Sequence, residues 1–312
     1  MPLYQRENSA NMNIGTYNDV GGSQNNKYDI TGAIHHHSAS LFANPLTEVY
    51  SQPVGDVNTV THADVPQLIR KLTVADDGGE HDSRVSAAAH LLRIAKTTGG
   101  LDHIITAVVN AKVLPQLVNH LSNSGSLMQH VACLLAYILQ SPHTWDAALS
   151  AQAIPFLVAR LSDSVLGTRV SVACALANIT GAERGKREAA SAGAMPLLVA
   201  ALGHPSHALT KMAARAVRNI ASVEAGRKAA YASNAIQPLV ALLDSRPLDF
   251  QFQYDVVKAL AWTASLNKTA RKTIRAHGVV EKLKAFSNLN APIQLQDVVE
   301  ELRDDLRVSS WL

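Results

Sequence analysis

The stretch Thr180–Glu188, TGAERGKRE, sets two glycines and a lysine behind an apolar run, the residue types with which a loop could cradle a phosphate. A Walker loop needs four residues between its glycines so that backbone N–H groups can wrap the phosphates. It also needs a hydroxyl residue after the lysine to hold magnesium. Here three residues separate Gly181 from Gly185, Lys186 is followed by Arg187, and no strand is read before them. The block recurs 41 residues later as SVEAGRKAA (222–230), with Gly226, Arg227 and Lys228 in place of Gly185, Lys186 and Arg187. Recurrence at a fixed interval marks a requirement of the fold. The reading is therefore a join: Gly181 caps the C-terminus of one long helix, and the remainder opens a short basic helix beside the next.

Other candidates for chemistry are weaker. The run His35–His37 offers three adjacent imidazoles without the further ligands that a zinc site needs. No H-E-x-x-H, G-x-S-x-G or Cys/His cluster with ligand spacing occurs, and His90 and His130 read as packing or groove residues on long helices. Cys133 and Cys174 sit inside apolar runs, in the manner of an intracellular protein with neither a zinc set nor a disulfide framework. The expectation is a chain without catalytic residues, cofactor or metal, located in the cytoplasm and also compatible with the nucleus.

Composition agrees with a binding role. Of 312 residues 47% are hydrophobic, enough for a sizeable core, yet the longest unbroken apolar run, VACLLAYIL (131–139), is far short of a membrane span. The net charge of +3 divides into −3 over residues 1–60 and +6 over the rest, well below the concentrated charge of a nucleic-acid binder. Residues 1–60 are rich in Asn, Gly, Ser and Thr, and the composition predicts a disordered polar tail. Within it, TYNDVGGSQNNKYDIT (16–31) holds two β-prone pieces around a turn, read either as plain linker or as a self-assembling or docking segment loosely similar to fungal amyloid-signalling motifs.

From about residue 61 the chain repeats itself. Segments starting at Val65, Leu114, Ile154, Met195, Ile236 and Val280 share one pattern (for example IPFLVARL and MPLLVAAL), at intervals of 49, 40, 41, 41 and 44 residues. Between them lie longer blocks such as TKMAARAVRNIAS, whose apolar residues Met212, Ala213, Ala216, Val217 and Ile220 fall on one helical stripe. A proline early in four of the shorter segments suits the first turn of a helix, where its missing N–H costs nothing. Each unit therefore reads as a short helix, a proline-started helix and a long helix.

A period near 41 with ANITGAERGKREAASAGAMPLLVAAL (177–202) as its best example resembles the armadillo repeat, over residues from about 61 to the C-terminus. The first unit departs from the pattern by an insertion around TTGGLDHII (97–105), and the final IQLQDVVEELRDDLRVSSWL (293–312) is polar enough for a capping helix. The resemblance implies an all-α, right-handed superhelical solenoid over 61–312 with a concave groove lined by the long helices. In that family an asparagine near the end of each long helix holds the backbone of an extended peptide. The matching positions here are Arg93, Tyr137, Asn178, Asn219 and Trp262, so a peptide clamp is expected over two units only.

One and two turns earlier on the same helical face come Cys174 and Val170, Arg215 and Lys211, then Lys258 and Tyr254. Lys211, Arg215, Asn219, Tyr254, Lys258 and Trp262 are thus expected to form a cationic and aromatic patch beside Asn178, suited to an extended, acidic segment of a partner protein. Import receptors of this family that bind basic nuclear-localisation signals carry a Trp–Asn array with acidic residues. The positions one turn before the asparagine equivalents are here Ala89, Cys133, Cys174, Arg215 and Lys258, which argues against that role. Two alternatives accompany the scaffold reading: a signalling protein whose tail self-assembles while the repeats recognise, and a chaperone-associated or trafficking adaptor.

Overall fold

The structure is a computed structural model that describes residues 61–73, 81–244, 249–286 and 291–308. The chain divides into two units, Met1–Ala43 and Asn44–Leu312, and every described residue belongs to the second. The tail expected over 1–60, with its self-assembling segment and histidine run, lies outside the described residues.

A 3₁₀ turn, His62–Asp64, precedes seventeen described helices. Repeat one contributes α1 (Val65–Thr73) and α2 (His81–Ala95), and repeat two α3 (Gly100–Ala111), α4 (Leu114–Asn119) and α5 (Ser126–Ile138). Repeat three follows with α6 (Trp145–Ser150), α7 (Ala153–Arg160) and α8 (Leu166–Ile179). The fourth holds α9 (Glu183–Ser191), α10 (Ala194–Leu202) and α11 (His207–Ala221), and the fifth α12 (Glu224–Ala232), α13 (Ile236–Leu242) and α14 (Phe250–Ala264). The sixth closes the array with α15 (Lys268–Ala276), α16 (Val279–Phe286) and α17 (Ile293–Val308). No strand occurs among the described residues.

The long helices α2, α5, α8, α11, α14 and α17 pack each on the next, forming one layer that runs through the solenoid. Alanines make this close stacking affordable: Ala173, Ala175, Ala213, Ala214, Ala216, Ala259 and Ala261 are all essentially inaccessible. The last helix closes the stack as a cap. It buries Leu295, Val298, Val299, Leu302 and Leu306 against α14 and α16 while Glu300, Arg303, Asp304 and Arg307 pair along its other side.

The turn between the short and second helices is the same device in every repeat from the second on. Lys112, Gln152, Gly193, Asn234 and Gly278 all adopt positive φ, between 53° and 74°, so the chain reverses through a single left-handed residue. Glycine and asparagine suit this conformation, whereas Lys112 and Gln152 hold it against the steric cost of a Cβ. The insertion expected around 97–105 falls at the start of the second repeat, where α3 runs to 12 residues, against 9 in α9, α12 and α15.

The opening motif is indeed a join, but its glycines work differently from the expectation. Gly181 is no left-handed cap: α8 ends at Ile179, Thr180 serves as C-cap with φ −75°, and Gly181 is absent from the positive-φ positions. It is needed for space, since a Cβ there would stand 2.5 Å from the ring of Trp145. Gly185 and Gly226 bring α9 and α12 onto the ends of the preceding long helices. An added Cβ would lie 2.2 Å from the Ile179 carbonyl oxygen and 1.8 Å from that of Ile220. The basic residues around Gly185 are tied down locally, Arg184 to Glu188 and both Lys186 and Arg187 to Glu183.

Candidate partner-binding groove

The stripe of α11 that is not buried consists of His207, Lys211, Arg215, Arg218 and Asn219, each half-buried on a helix whose remaining side chains from Ala208 to Ala221 are buried. On α14 the corresponding half-buried positions are Phe250, Gln251 and Tyr254, while Lys258 and Trp262 are buried at 7% and 4% exposure. Helical spacing thus brings the expected residues onto neighbouring faces, and the same face of α8 is closed, with Cys174 and Asn178 only 5% and 6% exposed.

Both asparagines tie one long helix to the one before it. Asn178 Nδ2 donates to the Ala136 carbonyl at 3.1 Å and lies 3.8 Å from Cys174 Sγ. One repeat on, Asn219 Nδ2 donates to the Ala177 carbonyl at 2.8 Å and to Thr180 Oγ1 at 3.3 Å, while its Oδ1 accepts from Arg218 at 2.8 Å. The amide nitrogens expected to hold a peptide are engaged in the fold itself.

The cations are likewise gathered, and Lys211, Arg218 and Lys258 each face a carboxylate of the following repeat. Lys211 Nζ donates to Asp249 Oδ2 at 2.8 Å, and the same oxygen lies 3.3 Å from His207 Nε2. Arg218 Nε stands 3.2 Å from Asp255 Oδ1 while its guanidinium lies 5.5 Å from the Tyr254 ring centroid. Lys258 Nζ meets Glu301 Oε2 at 3.0 Å and sits 5.0 Å from the Trp262 ring centroid, which Arg227 approaches at 5.9 Å. The sequence reading missed Arg218, Asp249, Asp255 and Glu301. A usable signal existed: opposite charges about one repeat apart, 38 residues for Lys211 and Asp249 and 43 for Lys258 and Glu301.

Electrostatics separates these carboxylates. Burial pushes Asp249 up, but hydrogen bonds from Lys211, the Phe252 backbone N–H and His207, with the charge of Lys211, outweigh it, and the net shift is downward. At Asp255 burial prevails over the opposing charges of Arg218 and Arg215, and its carboxyl is raised. Burial also raises Asp305, aided by Glu301. The thiols are held protonated: burial lifts Cys133 to about 12 and Cys174 to about 11, the latter against the nearby charge of Arg215. Neither is a nucleophile at neutral pH. No group of three or more potential metal ligands occurs among the described residues, and no described helix is long and apolar enough to cross a membrane.

Residues 183–222, which span α9 to α11, match the model of the Armadillo/beta-catenin-like repeat. Among solved structures, an engineered protein is 28% identical with a TM-score of 0.66, covering 79% of this chain and 97% of its own. A designed armadillo repeat protein is 23% identical with the same TM-score, over 78% of this chain and 99% of its own. Another, solved in complex with the peptide (KR)4, is 23% identical with a TM-score of 0.64, over 78% and 99%. No curated protein matches the sequence.

Proposed function

We propose that this armadillo repeat protein is a non-catalytic interaction scaffold that holds an extended, acidic segment of a partner protein along the long-helix face of α8, α11 and α14. The observation that carries this reading is the gathering of Lys211, Arg215, Arg218 and Lys258 on two consecutive long helices beside Asn178, Asn219, Tyr254 and Trp262. Asp249 and Glu301, which hold two of these cations, keep 23% and 30% of their side-chain surface in solvent. The cations themselves are set deeper, Lys211 at 13% and Lys258 at 9% exposure, so an incoming carboxylate reaches them by taking the place of Asp249 or Glu301. The half-buried Arg215 and Tyr254 present hydrogen-bonding and aromatic surface to such a segment, whereas Asn219, its amide engaged with Ala177, Thr180 and Arg218, and the more deeply set Lys258 and Trp262 support the wall behind it.

A designed armadillo protein of similar fold is complexed with a basic peptide, (KR)4. That fact supports peptide binding by a fold of this kind and leaves the sign of the charge to the residues of this chain. The test is a titration of a labelled acidic octapeptide followed by fluorescence anisotropy. The expected outcome is that Lys211→Glu and Arg215→Glu each weaken binding about tenfold, ~1.4 kcal/mol, while Lys284→Glu on α16 leaves it unchanged. Equal affinity across all three variants refutes the assignment of this face.

A further inference from the structure

Asp255 lies on α14 one turn after Gln251, facing the cationic stripe of α11, and only 1% of its side chain reaches solvent. Burying a carboxylate this deeply costs the fold, so its presence calls for a reason. The charges that act on it among the described residues all come from α11: Arg218 foremost, then Arg215 and Lys211. These are the cations that an acidic segment on this face would meet.

The tie to Arg218 is one of charge more than of a directed bond. Arg218 Nε stands 3.2 Å from Asp255 Oδ1 but is buried without a hydrogen bond, while Arg218 Nη2 donates to Asn219 Oδ1 at 2.8 Å. Asp255 Oδ1 accepts from Gln251 Nε2 at 3.3 Å, a bond that a neutral side chain can keep. The other titratable groups of the face are engaged elsewhere: His207 and Lys211 with Asp249, and Lys258 with Glu301 of α17, which also packs on α14. Asp305 lies near Glu301, Asp304, Arg271 and Lys258.

Asp249 makes the contrast. It holds Lys211 from the N-cap of α14 and is partly open to solvent, so a partner's carboxylate can take its place. Asp255 is too deeply set to be displaced. Its negative charge stays behind the stripe whether or not a segment is bound, and the segment's carboxylates meet it as a like charge while drawing on the same Arg218 and Arg215.

From this geometry we infer that Asp255 sets the specificity of the face, as an internal competitor whose charge holds down affinity for acidic segments and whose loss raises it. The inference rests on the proposed use of the face. Burial lifts the Asp255 carboxyl above its ordinary 3.8, so it takes up a proton before the segment's own Asp and Glu side chains do. Acidification removes the competitor first and the ligand's charge only later. By the same sign the fold loses stability as pH rises through the raised value, and the neutral form is the one that the fold favours.

The test titrates the unaltered chain and Asp255→Asn with an acidic octapeptide, (DE)4, by fluorescence anisotropy from about pH 7.5 down to about pH 5, above the ordinary carboxylate values of the peptide. Asp255→Asn is expected to bind about fivefold more tightly at the higher pH and to change little on acidification, whereas the unaltered chain tightens at least about twofold. Histidines ordinarily titrate in this range, so His207→Gln is run beside them and is expected to keep the response, a result that also stands if Asp255→Asn does not fold. Affinity of a folded Asp255→Asn at or below that of the unaltered chain overturns the inference. So does an unaltered chain indifferent to pH, a response that Asp255→Asn retains, or one that His207→Gln abolishes; each of these, with (DE)4 still bound, leaves the proposed function standing. Failure of all three proteins to bind (DE)4 at any pH overturns that function and the inference with it.

Discussion

Asp249 does two jobs with one carboxylate: Oδ1 accepts the Phe252 N–H as the N-cap of α14, and Oδ2 receives Lys211 from the repeat before. The two roles separate by substitution. Asp249→Asn keeps a cap of equal quality and loses the ion pair, at a cost of about 0.5–1 kcal/mol given its partial exposure. Asp249→Ala loses the cap as well, about 1 kcal/mol more. Because the folded-state pKa lies below the ordinary 3.8, the carboxylate's contribution is complete above that value and is lost as pH falls through the folded value. Urea denaturation at stepwise lower pH should show this acid limb in the unaltered chain and a flatter one in Asp249→Asn; identical limbs refute the pairing. The sequence displayed the cations of this patch but not their partners. Asp249 lies in a lead-in to α14 rather than on a repeating stripe, and Glu301 belongs to a terminal helix that departs from the repeat pattern. Asn178 and Asn219 stand out in sequence by their recurrence 41 residues apart, but their bonds to Ala136 and Ala177 do not, since main-chain carbonyls leave no mark in sequence.

At the scale of elements the joins between helices carry the most specific constraints. Gly185 sits inside α9, where helix propensity alone favours alanine by about 1 kcal/mol. The added methyl would instead meet the Ile179 carbonyl oxygen at 2.2 Å, so Gly185→Ala is expected to destabilise by about 1–3 kcal/mol. A chemical denaturation midpoint that rises for this variant contradicts the close approach of α9 to α8. The left-handed turns give the opposite sign. Gln152 holds φ 55° where the fourth and sixth repeats use glycine. Gln152→Gly should therefore stabilise by about 0.5–1 kcal/mol, after the entropy of a freer unfolded chain offsets part of the relief. A loss of stability in the same denaturation would mean that the glutamine side chain itself supports the turn. The order of helices and their lengths could be read from the apolar period and the prolines, because those signals are local. Gly181 was misread because a C-terminal cap and a close contact with Trp145 call for the same residue type.

At the largest scale, the six long helices among the described residues, stacked in one layer, turn a period of about 41 residues into a surface that presents each repeat's side chains beside the next. The fold was legible because every unit states it again, and Lys211, Arg215 and Asn219 are half-buried on one stripe of α11 as helical spacing requires. Lys258 and Trp262 are instead buried, Lys258 paired with Glu301 of α17 and set against the Trp262 ring. The account's central claim is that this face selects an acidic extended segment. Its most direct measurement is a paired titration of the unaltered protein with (DE)4 and with (KR)4, the basic peptide bound by a designed relative in fold, at low and at physiological salt. The account predicts that (DE)4 binds and weakens as salt rises while (KR)4 does not bind; binding of (KR)4 as tight as or tighter than that of (DE)4 would contradict it.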